Sequence, residues 1–265
     1  MRVTFLGTGS AMPTPDRMQT GLLVESDAAA GDDSETDGAA EDGHDHDGRE
    51  RRLLIDCGSG VLNRLSGTDA GYEAVSTVLL THHHLDHVAD LLPLIKARWL
   101  AGEEHLEVVG PAGTKALVDG LLGVYDYLEG RMDLRIREVG AESFTVGGFE
   151  VEGFETRHSM PCLAYRFGDE FVFSGDSEAF SGLANFASGA EVLAHDCSFP
   201  DEVDVSNHPT PTQLGEALAG ADVGRVYLTH LYPHTRGKHA EMIQGVEQGF
   251  DGDVRMAKDG LQVDI

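Results

Sequence analysis

Short apolar runs recur along this chain, and each is closed by glycine or a polar cluster. Runs of this length, rich in Val, Leu and Phe, predict buried strands. Met1 to Leu6 is the first. It enters a glycine loop, Leu6-Gly7-Thr8-Gly9-Ser10-Ala11-Met12-Pro13, where glycine permits a tight turn at the mouth of a sheet. Further strands are expected at Gly21 to Glu25, from Arg52 to Asp56, at Val75 to Leu80 and from Leu106 to Val109. Val61 to Leu65, Val88 to about Leu100, and Ala112 to Leu128 read as the helices between them.

The second half opens with strands. Leu134 to Val139 is one, and Phe144 to Phe154 is a hairpin turning at Gly147-Gly148. Leu163 to Phe167 and Phe171 to Ser174 form another hairpin, joined only by Gly168-Asp169-Glu170. A strand at Glu191 to Ala194, a helix at Thr212 to Leu218, a strand at Arg225 to Leu228 and a helix at Lys238 to Phe250 complete the rhythm. Two sheets packed face to face, with helices outside, would bury these strands. No linker divides the chain, so a single α/β domain over residues 1–265 is expected.

One stretch breaks the pattern. From Ser26 to Glu50 the chain is almost entirely Asp, Glu, Ala and Gly, with His44 and His46 included. It cannot bury apolar area and predicts a mobile loop at the tip of a strand pair. Acids also prevail elsewhere: 46 Asp and Glu against 19 Lys and Arg give a net charge of −27. Spread through the chain, that excess fits a halophilic protein, in which salt screens self-repulsion. No apolar run is long enough for a bilayer and no secretory signal is evident, so a cytoplasmic protein without a membrane partner is expected. Cys57, Cys162 and Cys197 suggest neither a disulfide framework nor a zinc-thiolate site, only buried packing.

The chemistry concentrates in Thr81-His82-His83-His84-Leu85-Asp86-His87, between the Val75 strand and the next helix. His82, His84, Asp86 and His87 offer the imidazole nitrogens and carboxylate oxygens that zinc and similar divalent ions accept. More donors must come from other strand ends. His158 follows one strand, Asp176 sits on a glycine turn after another, and His230 ends a third. Asp56 reads as a residue that orients a ligand or the Thr81 loop without binding metal itself. His83 is not expected to be a ligand. His195, His234 and His239 have weaker claims, with His234 a candidate for the rim.

The spacing His-x-His-x-Asp-His on a strand-to-helix turn resembles the signature of the metallo-β-lactamase superfamily. Within it the chain resembles the ribonuclease Z group. The likeness rests on Phe5-Leu6-Gly7-Thr8-Gly9, Ile55-Asp56-Cys57-Gly58, Thr81 to His87, Phe173-Ser174-Gly175-Asp176 and Leu228-Thr229-His230. It implies a four-layer αβ/βα sandwich and a dinuclear site holding two Zn2+, with Mn2+ as the alternative. His82, His84 and His158 would hold one ion, Asp86, His87 and His230 the other, and Asp176 would bridge them. A water or hydroxide would form the second bridge and act as nucleophile. His208, just before a helix, resembles an auxiliary histidine that protonates the leaving oxygen. Asp196 stands where the family usually has Glu and would orient His208. Asp86, His208 and Asp196 are the implied catalytic set. A homodimer is implied as well.

Ribonuclease Z enzymes that trim transfer RNA carry a long arm inserted where this chain has only Gly168-Asp169-Glu170. The acidic stretch would repel RNA and is no substitute. The expectation is therefore an RNA or short nucleotide phosphodiester substrate. The activity expected is exonuclease action on single-stranded RNA ends, not tRNA 3′ processing. Hydrolysis of a small ester (lactone, thioester or sulfate ester) is the alternative. Arg98, Arg157 and Arg236 are candidate phosphate contacts; no substrate-binding residue is assigned.

Overall fold

The computed structural model describes residues 1–26, 50–203 and 205–265. The expected mobile acidic loop, with His44 and His46, falls on 27–49 and lies outside the described residues. In chain order the strands are β1 (Arg2–Gly7), β2 (Gly21–Ser26), β3 (Arg51–Ile55), β4 (Thr77–Leu79), β5 (His105–Gly110), β6 (Asp133–Glu138), β7 (Ser143–Val146), β8 (Phe149–Glu155), β9 (Leu163–Phe167), β10 (Phe171–Phe173), β11 (Val192–Asp196), β12 (Arg225–Thr229), β13 (Asp253–Met256) and β14 (Leu261–Asp264). The helices are α1 (Val61–Leu65), α2 (Leu85–Val88), α3 (Leu91–Ala101), α4 (Thr114–Val124), α5 (Ser181–Ala187), α6 (Pro211–Ala217) and α7 (His239–Glu247).

The strands form two seven-stranded sheets, ordered β14-β1-β2-β3-β4-β5-β6 and β13-β12-β11-β10-β9-β8-β7. Each sheet mixes an antiparallel half with a parallel half. In the first, β3 to β6 run parallel; in the second, β10 to β13 do. A core including Phe5, Ile55, Tyr165, Phe171 and Tyr227 fills the space between the sheets. Two further cores lie outside them, one under α1, α3 and α4, the other under α5, α6 and α7. Side chains alternate across a strand, so each central strand feeds both its inner and its outer core. The result is the four-layer sandwich.

The helix expected from Val88 begins earlier and comes in two pieces. Asp86 and His87 lie within α2. Asp90 then breaks the run, because its carboxylate accepts from the N–H groups of Gly60 and Leu62 at 2.8 and 3.0 Å. Pro93 falls in the first turn of α3, where a missing N–H costs nothing. The expected Ala112 to Leu128 helix stops at Val124, and a 3-10 turn at Asp126–Leu128 follows. α5, β13 and β14 had no counterpart in the apolar pattern.

β2 and β3 pair antiparallel on either side of 27–49, with Ser26 opposite Arg51. β9 and β10 pair with Phe167 opposite Phe171, so a three-residue loop closes that hairpin. The three cysteines are buried and free. Among the described residues no helix is long and apolar enough to cross a membrane.

Candidate metal centre

Parallel sheets gather functional side chains beyond the carboxyl ends of their strands. Asp56 follows β3, His82 follows β4, Asp176 follows β10, Asp196 ends β11 and His230 follows β12. His158, after β8, reaches the same edge. Asp56 and His230 hold left-handed backbone, φ 57° and 58°. Such conformations are costly for non-glycine residues and persist where the surroundings over-determine them. The loop between β3 and α1 requires glycine at 58, where it packs against α2: a Cβ there would lie 2.1 Å from the Asp86 carbonyl oxygen.

The structure brings all the expected ligands together. One group is His82, His84, His158 and Asp176; another is Asp86, His87 and His230. His84 Nδ1 lies 3.0 Å from His82 Nε2 and 3.1 Å from His158 Nε2. Asp86 Oδ2 lies 3.1 Å from His230 Nε2. Asp176 sits between the groups. Its Oδ2 is 3.7 Å from His82 Nε2, 3.8 Å from His158 Nε2 and 3.4 Å from His230 Nε2, while its Oδ1 is 3.4 Å from His87 Nε2.

The outward nitrogens decide the tautomers. Asp56 accepts from the Thr81 amide and, at 2.8 Å, from the Thr81 hydroxyl. Having donated its proton there, the hydroxyl accepts from His82 Nδ1 at 3.0 Å. His87 Nδ1 donates to Asp56 at 2.7 Å. His158 Nδ1 donates to the Asn207 carbonyl at 3.3 Å. Asp56 thus orients both His87 and Thr81. His82 Nε2 and His158 Nε2 are left with inward lone pairs, the arrangement a bound cation requires.

The electrostatics ask for positive charge. Burial pushes His82 well below its ordinary range and lowers His84 and His158. Burial also opposes charge on His87, but the facing Asp176 and Asp56 carboxylates outweigh it and raise its pKa well above the ordinary value. Asp176 is held well below the carboxylate range: burial opposes this, and the surrounding imidazoles, His230 first, prevail. His87 Nε2 is buried without a hydrogen-bond partner. An orphaned inward nitrogen among carboxylates fits a metal ligand, because an unpaired buried polar atom is otherwise costly. Imidazole nitrogens and carboxylate oxygens gathered this closely are the donor set that zinc would take.

Beside this cluster, His208 Nδ1 lies 2.7 Å from Asp196 Oδ2. Burial disfavours the His208 cation, but the Asp196 charge and hydrogen bond push the imidazole up to about 9. The Phe199 and Tyr232 rings, stacked at 4.4 Å, wall the site next to His208.

Several candidates sit elsewhere. His83 turns away and pairs with Thr114 Oγ1 at 2.8 Å. His195 is buried and donates to the Asp196 carbonyl. His234 packs against Phe199 at the rim. Arg98 is no phosphate contact: it is buried and donates to the carbonyls of Tyr72, Glu73 and His105. Arg236 pairs with Asp16 on the surface. Arg157 is exposed and beside the site. Sequence reasoning missed Ser198, whose hydroxyl touches Asp196, His208 and His230. Its only signal was its place two residues after a candidate acid.

The family model for the beta-lactamase superfamily domain matches residues 51–231. Ribonuclease Z of Haloferax volcanii is 23% identical over 100% of this chain and 95% of its own. The probable metallo-hydrolase YhfI of Bacillus subtilis is 28% identical over 98% of each chain. The YhfI crystal structure superposes with a TM-score of 0.77 at 25% identity, covering 99% of this chain and 98% of that one. The human tRNase Z short form shares the fold, with a TM-score of 0.72 at 19% identity over 100% and 99% of the two chains.

Proposed function

This chain belongs to the β-lactamase superfamily, and from that premise we propose that it is a dinuclear metal-dependent phosphodiesterase that shortens single-stranded RNA ends. The observation that carries this reading is the Asp196–His208 pair standing beside the donor cluster. An ester with a poor leaving group gains most from such a proton donor. Relatives named ribonuclease Z point to the same chemistry.

His82, His84 and His158 would hold one cation, Asp86, His87 and His230 the other, and Asp176 both. Two divalent ions, zinc from the donor types or manganese, supply neutralisation of the phosphodiester charge and activation of water. His208 carries a proton on each nitrogen when charged. Nδ1–H is committed to Asp196, so Nε2–H is the proton for the leaving oxygen. As the ester P–O bond breaks, that proton moves to the departing hydroxyl and His208 becomes neutral. Asp196 keeps the ring in place, and the Phe199 and Tyr232 rings shield this face from water.

The three-residue β9–β10 loop and the net charge of −27 favour a short or unpaired RNA end over a folded tRNA body. A homodimer through the face that carries the metal donors is inferred from the resemblance to the ribonuclease Z group. We infer one domain across residues 1–265, acting in the cytoplasm without a membrane partner.

The test uses a short 5′-labelled single-stranded RNA and a precursor tRNA, incubated with the zinc- or manganese-loaded protein in high salt. A His82→Ala/His84→Ala variant is the control. A ladder of shortening products, absent in the control, supports the exonuclease. A single cut at the tRNA 3′ boundary replaces it with tRNA maturation. Cleavage of neither moves the function to a small ester.

A further inference from the structure

A cavity of about 610 Å³ opens beside His208, lined also by Arg157, Glu178, Phe180, Gln213 and Glu216. Its volume falls within the range of about 300–1,000 Å³ common for small-molecule sites. His208, which lines the cavity, packs against the His158 ring at 5.3 Å, so the cavity adjoins the candidate metal donors.

The Arg157 guanidinium lies 4.2 Å over the Phe180 ring and makes no ion pair among the described residues. Phe180 is itself backed by Phe154 at 6.2 Å and an interplanar angle of 24°, and Phe154 by Phe186 at 4.8 Å and 20°. The backbone under Arg157 is also fixed: its N–H donates to Ser177 Oγ at 3.3 Å, and its carbonyl accepts from the Glu178 N–H at 2.9 Å. The guanidinium therefore sits over Phe180, a member of a three-ring stack, and lines the cavity. Planar guanidinium groups stack on π-systems.

Charge decides what the cavity receives. Glu178 and Glu216 also line the cavity, so one guanidinium meets two carboxylates. A second phosphate would be repelled there. A neutral flat group would not, and its amino or ring N–H groups could donate to the carboxylates. Because His208 is both the proton donor and a wall of the cavity, the group in the cavity is attached to the leaving oxygen.

We propose that this cavity is the seat of the nucleobase on the leaving nucleoside, stacked on Arg157. The inference rests on the phosphodiesterase reading and deepens it by assigning where the base of the leaving nucleoside sits.

Two measurements separate this proposal from that reading. Isothermal titration with adenosine, an uncharged nucleoside, reads the seat without catalysis. The metal-loaded protein is expected to bind adenosine, Arg157→Ala about ten-fold more weakly, and Arg157→Trp at close to the original affinity. The second measurement is the ratio of kcat/KM for a diadenosine dinucleotide to that for a simple dialkyl phosphate, whose leaving group has no flat ring to stack. It is expected to fall about ten-fold in Arg157→Ala and to recover in Arg157→Trp. Adenosine binding with neither diester hydrolysed would leave the seat standing and overturn the phosphodiesterase. No adenosine binding by the parent protein would overturn the seat, whatever the diesterase activity. Equal losses on both diesters, or full retention of binding in Arg157→Lys, would overturn the stacking role as well.

Discussion

Asp196 Oδ1 and His230 Nδ1 stand 3.8 Å apart, joined by the Ser198 hydroxyl at 2.6 Å from the first and 2.8 Å from the second. A hydroxyl has one proton. The carboxylate can only accept, so Ser198 donates to Asp196 and accepts from His230 Nδ1–H. That fixes the His230 tautomer and leaves Nε2 facing Asp86 and Asp176. The other oxygen of Asp196 holds His208. One serine thus couples the proposed proton donor, His208, to a proposed metal ligand, His230.

Ser198→Ala should therefore weaken metal binding and catalysis together. Loss of such an orienting partner typically costs about 10–100-fold in metal affinity or activity. Competition with a zinc chelator measures the first and initial rates the second. Ser198→Thr, which keeps the hydroxyl, should retain most of both. Unchanged metal affinity in the alanine variant would show that the serine only fills space.

His208 is raised from its ordinary value to about 9. A raised pKa means the charged, proton-donating form predominates at neutral pH and is lost as pH rises through about 9. The rate on an alkyl phosphodiester should fall on that alkaline limb. In Asp196→Asn only the opposing effect of burial remains large, so the limb should move to lower pH. His208→Ala should cost about 10²–10⁴-fold on an alkyl ester, and less on a p-nitrophenyl ester, whose leaving group needs no proton. An alkaline limb that stays put in Asp196→Asn would exclude His208 as its source.

The clustering of the candidate metal donors was legible because their spacing is local or tied to strand ends. His82, His84, Asp86 and His87 fall in one turn, and Asp176 and His230 each close an apolar strand. Ser198 and the Arg157 shelf were not legible. Their roles depend on which side chains from distant strands arrive within hydrogen-bonding or stacking distance, and periodicity does not carry that. Arg98 misled for a related reason: an arginine on a predicted helix looks solvated unless the carbonyls of Tyr72, Glu73 and His105 are seen around it. β13 and β14 were missed because short edge strands bury few side chains and leave little apolar signal.

Asp56 should matter more for stability than a residue that merely neighbours the site. It is fully buried and serves the Thr81 amide, the Thr81 hydroxyl and His87. Asp56→Ala removes those partners and also places alanine at φ 57°. Loss of one partner of a buried charged pair costs about 3–5 kcal/mol, and alanine also lacks the short polar side chain that lets Asp and Asn adopt left-handed backbone. Asp56→Asn tolerates that backbone and keeps an acceptor oxygen, so it should recover part of the loss. Urea unfolding of the three proteins checks the order; equal midpoints for Ala and Asn would contradict it.

Metal removal should destabilise the fold through His87. Its Nε2 is buried without a partner, and Asp176 and Asp86 face it. A cation there relieves the repulsion among carboxylates and satisfies the nitrogen. Ligand present at a thousand times its Kd adds about 4 kcal/mol of stability. Chelation should lower the melting temperature, and stoichiometric zinc should restore it. In His87→Ala the chelator-sensitive shift should shrink. A melting temperature indifferent to chelator and zinc would rule out a structural contribution from the ions.

Salt should act on the whole surface. With 46 acids and 19 bases, the folded chain confines a net charge of −27 in a compact volume. Unfolding spreads that charge out, so repulsion opposes the native state more than the denatured one. The screening length shrinks from about 10 Å at 0.1 M salt to about 3 Å at 1 M. Over that range the repulsion between neighbouring surface carboxylates is damped more than the shorter ion pairs, such as Lys115–Asp119 at 2.8 Å. The melting temperature should therefore rise with added KCl or NaCl, and both salts should act alike if screening is the cause. A melting temperature that is flat or falls as salt rises would remove the case for adaptation to high salt.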